Sequence, residues 1–186
     1  MWQGVRKFYF VRHGETEANQ RNLAAGCGWD VDLNETGLAQ ARALAASAKM
    51  ELCREVRTIC VSPMSRARQT AEALNQVLSV EMVIVEEFKE WDLGDWERQS
   101  WSDLPNLFHP GSNPPNGESQ LQFGARVAWG LNSAFRQEGP IMIVAHGGVW
   151  HCIARILNVP GGSIDNCDLR CVVKESTFSR WRLEPI

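Results

Sequence analysis

Short apolar runs alternate along the chain with longer segments of helical periodicity, and this alternation predicts strands separated by helices. Apolar runs typical of strands occur at residues 7–11, 57–61, 82–85 and 141–145. A last pair of strands is predicted at 171–174 and 178–183. Strands that alternate with helices pack into an α/β protein, so the sequence predicts a three-layer α/β/α sandwich with a mainly parallel central sheet.

Apolar residues at helical spacing predict four helices between these strands. One opens at Thr36-Gly37, and another opens at Ser62-Pro63, where proline suits a first helical turn. A third begins with a predicted capping box of Ser119 and Gln122, and a fourth stops before Pro160. The apolar positions expected on these helices are Leu38, Ala41, Ala45 and Ala48; Ala67, Ala71, Leu74 and Leu78; Leu121, Ala125, Ala128, Leu131 and Phe135; and Val149, Ile153, Ile156 and Leu157.

Residues 99–117 interrupt this regular pattern. The segment is rich in Pro, Asn, Ser and Gly, yet it also carries Trp101, Leu104, Leu107 and Phe108. A connection of this length inside a compact domain is often functional. We therefore expect a lid-like insertion at about 99–117.

Composition describes an ordinary globular protein, and we expect residues 1–186 to form a single domain. The net charge of −3, from 19 basic and 22 acidic residues, argues against nucleic acid or an anionic membrane as the main partner. No apolar run approaches the length of a membrane span.

The cysteines indicate a reducing environment. They form no Cys-x-x-Cys pair, and no signal-like segment precedes the first strand, so we expect free thiols and a cytoplasmic location. His151-Cys152 and Cys167 with Cys171 are conceivable metal ligands, but we interpret them as buried small residues and expect no metal or other cofactor. The six cysteines are Cys27, Cys53, Cys60, Cys152, Cys167 and Cys171.

The most informative stretch is Arg12-His13-Gly14, which directly follows a predicted strand. Open α/β sheets bind ligands at the carboxyl ends of their strands. Thr16 can cap the helix that follows, so free backbone N–H groups point at the same spot. A histidine flanked by a permanent cation and a helix start predicts a site for a phosphoryl group.

Two further segments also place a candidate anion-binding residue just after a predicted strand. His146-Gly147-Gly148 directly follows the strand predicted at 141–145, and the two glycines suit close approach of the backbone to a ligand. Arg66 lies in the first turn of a predicted helix, where the helix dipole disfavours a cation. We therefore expect Arg66 to bind an anion.

Carboxylates alternate with aromatic rings just after the third predicted strand, between Phe88 and Glu97. A carboxyl group that packs against Trp91 or Trp96 loses hydration and becomes a candidate proton donor. We expect both indole rings to line the mouth of the same site.

The chain resembles the histidine phosphatase superfamily, the group that includes the phosphoglycerate mutases. The resemblance covers about residues 7–157, in the order and spacing of that family, and implies a phosphoglycerate mutase-like fold. It rests on Arg12-His13-Gly14-Glu15 with Asn19, Ser62-Pro63…Arg66…Gln69-Thr70-Ala71, Glu90…Gly94-Asp95-Trp96-Glu97, and Ala145-His146-Gly147-Gly148.

The resemblance implies a role for each matching residue. His13 is the nucleophile that becomes phosphohistidine, and Glu90 is the general acid and then the general base. The family uses no metal. The residues expected to bind the phosphoryl group or the substrate are Arg12, Arg66, His146, Asn19, Glu15 and Gly147.

Three positions depart from the family pattern. Arg98 stands where the motif after Glu97 usually continues with Gly, so the local turn is expected to differ. Asn116 and Gly117 precede Glu118-Ser119, near the usual Gly-Glu-Ser. Residues 23–25 are Leu-Ala-Ala, where the family often offers a polar contact to the phosphate.

The sequence favours a metal-independent phosphomonoester hydrolase that acts on a small phosphorylated metabolite. A phosphoglycerate mutase-type phosphotransferase is the alternative, but it needs extra cations for a second anionic group, and residues 99–117 contain no Lys or Arg. An inactive scaffold that binds phosphorylated ligands is a third hypothesis. It is disfavoured because His13, Arg66, Glu90 and His146 are all present.

Overall fold

One six-stranded sheet organises the protein, with the strand order β3-β2-β4-β1-β5-β6. The computed structural model describes residues 4–109, 111–176 and 179–186. Parallel pairing joins β1 to β4, β4 to β2 and β2 to β3, whereas β5 and β6 extend the sheet in antiparallel fashion. The mainly parallel sheet predicted above is therefore confirmed. The strands are β1 Lys7–Arg12, β2 Thr58–Val61, β3 Glu81–Ile84, β4 Ile141–Ala145, β5 Leu169–Val173 and β6 Arg182–Glu184.

Helices cover both faces of this sheet, as the predicted three-layer sandwich requires. The side chains of β1 alternate: Phe8 and Phe10 pack with residues of α5 and α6, while Tyr9 and Val11 pack with residues of α2, α3 and α4. The helices are α1 Glu17–Gln20, α2 Glu35–Ala45, α3 Ala48–Glu51, α4 Ser65–Leu78, α5 Gln120–Ala134 and α6 Gly147–Leu157, with 3₁₀ turns at Glu86–Phe88 and Gly94–Trp96.

Two predicted helix starts need correction. α2 begins earlier than Thr36-Gly37, because the Asn34 side chain caps it by accepting a hydrogen bond from the Gly37 N–H at 2.8 Å. α4 begins at Ser65, so Pro63 lies before the helix rather than in its first turn. This shift still leaves Arg66 in the first turn of α4.

The predicted capping box of α5 is confirmed, but only the carboxyl-terminal part of its expected apolar face, with Leu131 and Phe135, packs into the core. Leu121 is 82% exposed, whereas Phe123 and Val127 are buried. The helix packs its Gly130 side onto Phe88, where an added Cβ would lie only 2.8 Å from the ring. Docking against Phe88 therefore determines the rotation of the helix, and apolar spacing alone does not reveal it.

The carboxyl-terminal strands also differ in extent from the prediction. β5 begins at Leu169 rather than at residue 171, and β6 spans Arg182–Glu184. Phe178, the first residue of the predicted last strand, lies outside the described residues. The assignment of residues 1–186 to one domain stays a prediction. Within the described ranges, no helix is both long and apolar enough to cross a membrane.

Candidate active site

Three neighbouring parallel strands bring the predicted site residues together. His13 follows β1 and His146 follows β4, while Arg66 comes from the helix after β2. Because β2, β4 and β1 are adjacent, their carboxyl ends meet at one edge of the sheet. The His13 N–H donates to the carbonyl oxygen of Ala145 at 2.9 Å, which ties the ends of β1 and β4 together.

His13 is buried and held in a defined orientation. Its Nδ1 lies 2.7 Å from the carbonyl oxygen of Gly14, a group that can only accept a hydrogen bond. The proton therefore lies on Nδ1, and Nε2 keeps its lone pair. Burial, followed by the nearby charges of Arg66 and Arg12, lowers the pKa of His13 well below its usual value. The imidazole is therefore neutral and nucleophilic at neutral pH.

Two arginines surround His13, and backbone carbonyls hold each of them. Arg12 Nη1 donates to the Ile164 carbonyl at 2.7 Å, and its buried Nε has no partner in the described part of the chain. Arg66 is only 2% exposed; its Nη2 donates to the Gly26 carbonyl at 2.8 Å, and Asp30 lies 3.6 Å from Nη1. Backbone carbonyls thus aim two cations without neutralising them.

His146 lies directly beside His13, with ring centroids 5.1 Å apart. It is fully buried, and its Nε2 is 2.8 Å from Ser62 Oγ. Burial is the main cause that lowers the pKa of His146, followed by the charge of Arg66. The second histidine is therefore also neutral before substrate binds.

Glu90 completes the polar end of the site. Its carboxylate accepts hydrogen bonds from the Gly148 N–H at 3.0 Å and from its neighbour Trp91 N–H at 2.9 Å. A Cβ on Gly148 would collide with this carboxylate. The second glycine after His146 therefore makes room for the side chain of Glu90, and it also lines the cavity.

Three residues were predicted to bind substrate, and the structure places two of them at the cavity. Asn19 lines it while its Oδ1 accepts hydrogen bonds from the Thr16 N–H and hydroxyl, so Asn19 also forms the capping box of α1. Gly147 lines it at the first position of α6. Glu15 is not among the described residues that line it, because its carboxylate accepts from the Asn34 side chain at 2.8 Å.

A cavity of about 540 Å³ opens above these groups. Its deep end is polar, with Arg12, His13, Arg66 and Glu90, and its outer wall is mainly apolar. Trp91 lines the cavity as predicted, whereas Trp96 does not belong to the lining among the described residues. The apolar and aromatic side chains of the lining are Leu23, Ala25, Trp91, Leu93, Trp101, Leu104, Pro105, Leu107, Phe108 and Ile164.

The segment 99–117 contributes much of this outer wall and is anchored to the body of the protein. Gln120 Nε2 donates to the carbonyl oxygens of Leu107, His109 and Ser112, at 2.7, 2.7 and 3.1 Å. The Phe108 ring stacks on His151 of α6, with centroids 3.5 Å apart. Pro110 lies outside the described residues. The segment therefore forms part of the cavity edge in this structure, and its assignment as a lid-like insertion stays a prediction.

Two side chains that hold the site together were not singled out from the sequence. Thr70 Oγ1 accepts from the Gly14 N–H at 3.0 Å and donates to the Arg66 carbonyl at 2.8 Å. Asn166 Nδ2 donates to the His13 carbonyl at 2.9 Å. Thr70 belongs to the Gln69-Thr70-Ala71 motif, which is a usable signal, whereas nothing in the sequence around Asn166 marks it.

Two of the departures from the family pattern can be located in the structure. Arg98 takes a left-handed conformation, φ +66°, so it forms the kind of turn that favours glycine and donates its N–H to the Ala24 carbonyl at 2.7 Å. Leu23 and Ala25 line the cavity with apolar side chains. The side chains of these two residues therefore offer no polar contact to a phosphate.

Comparison with known proteins agrees with this geometry. A sequence model described as the histidine phosphatase superfamily (branch 1) matches residues 8–179. The uncharacterised phosphatase PhoE of Bacillus subtilis is 31% identical over 182 residues, which cover 94% of this chain and 90% of that protein. A solved mycobacterial glucosyl-3-phosphoglycerate phosphatase in complex with VO3 has a TM-score of 0.78 at 26% identity, covering 98% of this chain and 99% of the other. A solved phosphoglycerate mutase from Thermus thermophilus has a TM-score of 0.72 at 27% identity, with 96% of each chain covered.

Proposed function

The chain belongs to the histidine phosphatase superfamily (branch 1), and we propose that it hydrolyses phosphomonoesters of small metabolites through a phosphohistidine, without a metal ion. Its overall activity is that of a phosphatase. The observation that carries the mechanism is His13, a buried neutral imidazole whose Nδ1 is held by the Gly14 carbonyl. This leaves Nε2 free to attack phosphorus in a cavity that Arg12 and Arg66 also line.

In the first half of the reaction, His13 Nε2 attacks phosphorus while the bond to the leaving oxygen breaks. Phosphoryl transfer depends on positioning and on cations around the equatorial oxygens. Arg12 and Arg66 supply the charge and hydrogen bonds for those oxygens, and the neutral His146 supplies a further hydrogen bond. Asn19 and the start of α6 at Gly147 add donors at the cavity edge. The product of this step is an alcohol and phospho-His13.

Glu90 serves the proton transfers. It lies at the polar end of the cavity and is oriented by the Gly148 N–H. It first gives a proton to the departing alkoxide and then takes one from the water that attacks phospho-His13. The same carboxyl group therefore alternates between general acid and general base, and each cycle returns it to its starting state.

The leaving-group side of the cavity favours hydrolysis over phosphotransfer between phosphoglycerates. The similarity to a solved phosphoglycerate mutase supports the alternative function. However, the only Lys or Arg residues among the described lining residues are Arg12 and Arg66, both of which are assigned to the transferred phosphoryl group. A second phosphate or a carboxylate would lose hydration at the apolar outer wall without gaining a cation.

We expect monophosphates with neutral, partly apolar leaving groups to have the highest kcat/KM. At about 25 cal/mol per Å², burial of about 100 Å² of apolar surface against the outer wall favours binding by tenfold to a hundredfold. The measurement is a competition series of phenyl phosphate, a nucleoside monophosphate, 3-phosphoglycerate and fructose 1,6-bisphosphate. A preference for either of the last two, or phosphoryl exchange between phosphoglycerates that outpaces phosphate release, would establish the mutase alternative. No turnover of any ester would support the scaffold hypothesis.

Activity is expected to survive exhaustive dialysis against EDTA. The proposed site supplies its own cations through Arg12 and Arg66, so the reaction has no step that requires a divalent ion. Phosphate release before and after dialysis, with and without added Mg²⁺ or Zn²⁺, is the measurement. Loss of activity that a metal ion restores would contradict the mechanism. Cys27, Asp92 and Glu97, whose ligand atoms lie within 4.8 Å of one another, would then be the first group to replace.

The proposed setting is the cytosol, with a small phosphate ester as substrate. All six cysteines are free, which supports a reducing compartment. The net charge of −3 supports the proposal that neither nucleic acid nor an anionic membrane is a partner.

A further inference from the structure

The side chain of His146 has one nitrogen with a partner and one without. Nε2 lies 2.8 Å from Ser62 Oγ, and both residues are completely buried. Nδ1 is also buried, and it has no hydrogen-bond partner in the described part of the chain. A buried polar atom without a partner is rare and calls for an explanation. His146 is not itself among the described residues that line the cavity, but its ring lies against His13, which does line it. A phosphoryl group that reaches His13 is therefore the candidate partner of Nδ1.

The contacts of Ser62 indicate which atom carries the proton in its bond to His146. Ser62 Oγ already accepts a hydrogen bond from the Met64 N–H at 3.3 Å. A hydroxyl has one proton to give, and among the described residues His146 Nε2 is the acceptor within its reach. If Nε2 carried the proton instead, the hydroxyl would accept twice and its own buried proton would be unused. The hydroxyl therefore donates to Nε2, which leaves the imidazole proton on Nδ1.

Because His146 is neutral, the position of its single ring proton decides whether Nδ1 can donate a hydrogen bond. Burial and the charges of Arg66 and Arg12 lower its pKa, so the ring is neutral and has a single N–H. A neutral imidazole with its proton on Nε2 would turn the Nδ1 lone pair towards a phosphoryl oxygen and repel it. With the proton on Nδ1, the same atom becomes a donor.

We propose that Ser62 is a positioning residue that holds His146 in the Nδ1–H tautomer, so that Nδ1–H donates to the transferred phosphoryl group. This inference rests on the phosphatase function proposed above. His13 is held in the same tautomer by the Gly14 carbonyl, but there Nδ1 is engaged and the Nε2 lone pair is presented. Two adjacent histidines thus share one tautomer and use it in opposite ways: one attacks phosphorus, and the other donates to its oxygen.

The tautomer can be observed directly without turnover. The chain has four histidines, so ¹⁵N-histidine labelling gives a simple spectrum, and a His146→Gln variant assigns the signals. We expect wild-type His146 to show a protonated Nδ1 and an unprotonated Nε2 at pH 7.5. Ser62→Ala is expected to move protonation from Nδ1 to Nε2 in part of the population. It should also weaken binding of orthovanadate and inorganic phosphate roughly tenfold, the scale of one hydrogen bond to a charged ligand.

Two further variants complete the test. Thr58→Val removes another buried hydroxyl, at the start of the strand that Ser62 follows; it donates to the Glu138 carbonyl at 2.8 Å and has no hydrogen bond to His146. It should leave both the ¹⁵N pattern and the vanadate affinity unchanged. Ser62→Cys keeps a weak donor of similar shape, should lie between wild type and Ser62→Ala, and is the variant to measure if Ser62→Ala does not fold.

Two results would overturn the inference: a wild-type His146 protonated on Nε2, or a folded Ser62 variant that keeps both the tautomer and the vanadate affinity. Failure of the phosphatase function would be seen separately, as wild-type protein that has the expected tautomer but releases no phosphate from any ester.

Discussion

Replacing His13 with alanine is expected to lower kcat by at least about 10⁴-fold and to abolish the phosphoenzyme, because loss of a nucleophile removes the chemical step itself. The Nε2 atom of His13 has a free lone pair beside both arginines, whereas Nε2 of the neighbouring His146 is hydrogen-bonded to Ser62. Rapid acid-free quenching after mixing with ³²P-labelled substrate is the measurement. Wild-type protein should retain a label that is stable to base and labile to acid.

His151→Ala provides the matched control. His151 is the other histidine among the described residues that line the cavity, but it stacks on Phe108 at the outer wall. Its removal leaves His13 and both arginines in place, so the phosphoenzyme should still form. Labelling of His13→Ala at the wild-type level would place the nucleophile elsewhere.

Replacing Glu90 with glutamine is expected to slow the hydrolysis of alkyl phosphates by about 10²- to 10⁴-fold, the usual scale of general acid catalysis. Aryl phosphates such as p-nitrophenyl phosphate should lose far less. A nitrophenolate leaves without protonation, whereas an alkoxide does not. Glutamine keeps the size of Glu90 and can still accept the Gly148 N–H, so the loss reports on the proton rather than on the fold. The measurement is kcat/KM for a series of esters with graded leaving-group pKa.

The control for Glu90 is Asp92→Asn, the same change of a carboxylate to an amide two residues along the chain. Asp92 accepts a hydrogen bond from the Gly94 N–H at 3.0 Å and is not among the described residues that line the cavity. An asparagine oxygen can accept the same bond, so little change is expected for either ester type. Equal losses on alkyl and aryl phosphates in Glu90→Gln would mean that another group donates the proton.

The two neutral histidines leave the candidate site with few charges of its own. Arg12 and Arg66 hold two positive charges in a buried space, and burial, together with these charges, lowers the pKa of His13 and His146 and keeps both rings neutral. A phosphate dianion is therefore matched by two guanidinium groups and by neutral donors. In the function proposed above, this balance suits one phosphoryl group, because the described lining residues offer no further Lys or Arg to a second anion.

Several features of the protein were predictable from the amino-acid sequence because they depend on residues close together in the chain. The apolar runs at β1 and β4 marked the central strands, and the placement of His13 and His146 directly after them marked the edge at which they meet. The capping box of Ser119 and Gln122 is a contact over three residues, and it forms as predicted. Local spacing was therefore sufficient for the fold class, whereas the roles of the candidate catalytic residues came from the family resemblance.

Other features were decided only by the tertiary structure, because they join residues far apart in the chain. The hydrogen bond from Gly148 to Glu90 joins residues 58 positions apart in the sequence. The contact between Ser62 and His146 spans 84 positions, and the hydrogen bond from Asn166 to His13 spans 153. The same holds for Glu15, which belongs to the motif but turns its carboxylate to Asn34 rather than into the cavity. A sequence motif places a side chain at a strand end, but which of its atoms is engaged depends on neighbours that only packing brings within 3 Å. The sequence by itself therefore indicated most residues of the candidate site, and the packing of distant segments decided which of them line the cavity and which of their atoms are hydrogen-bonded.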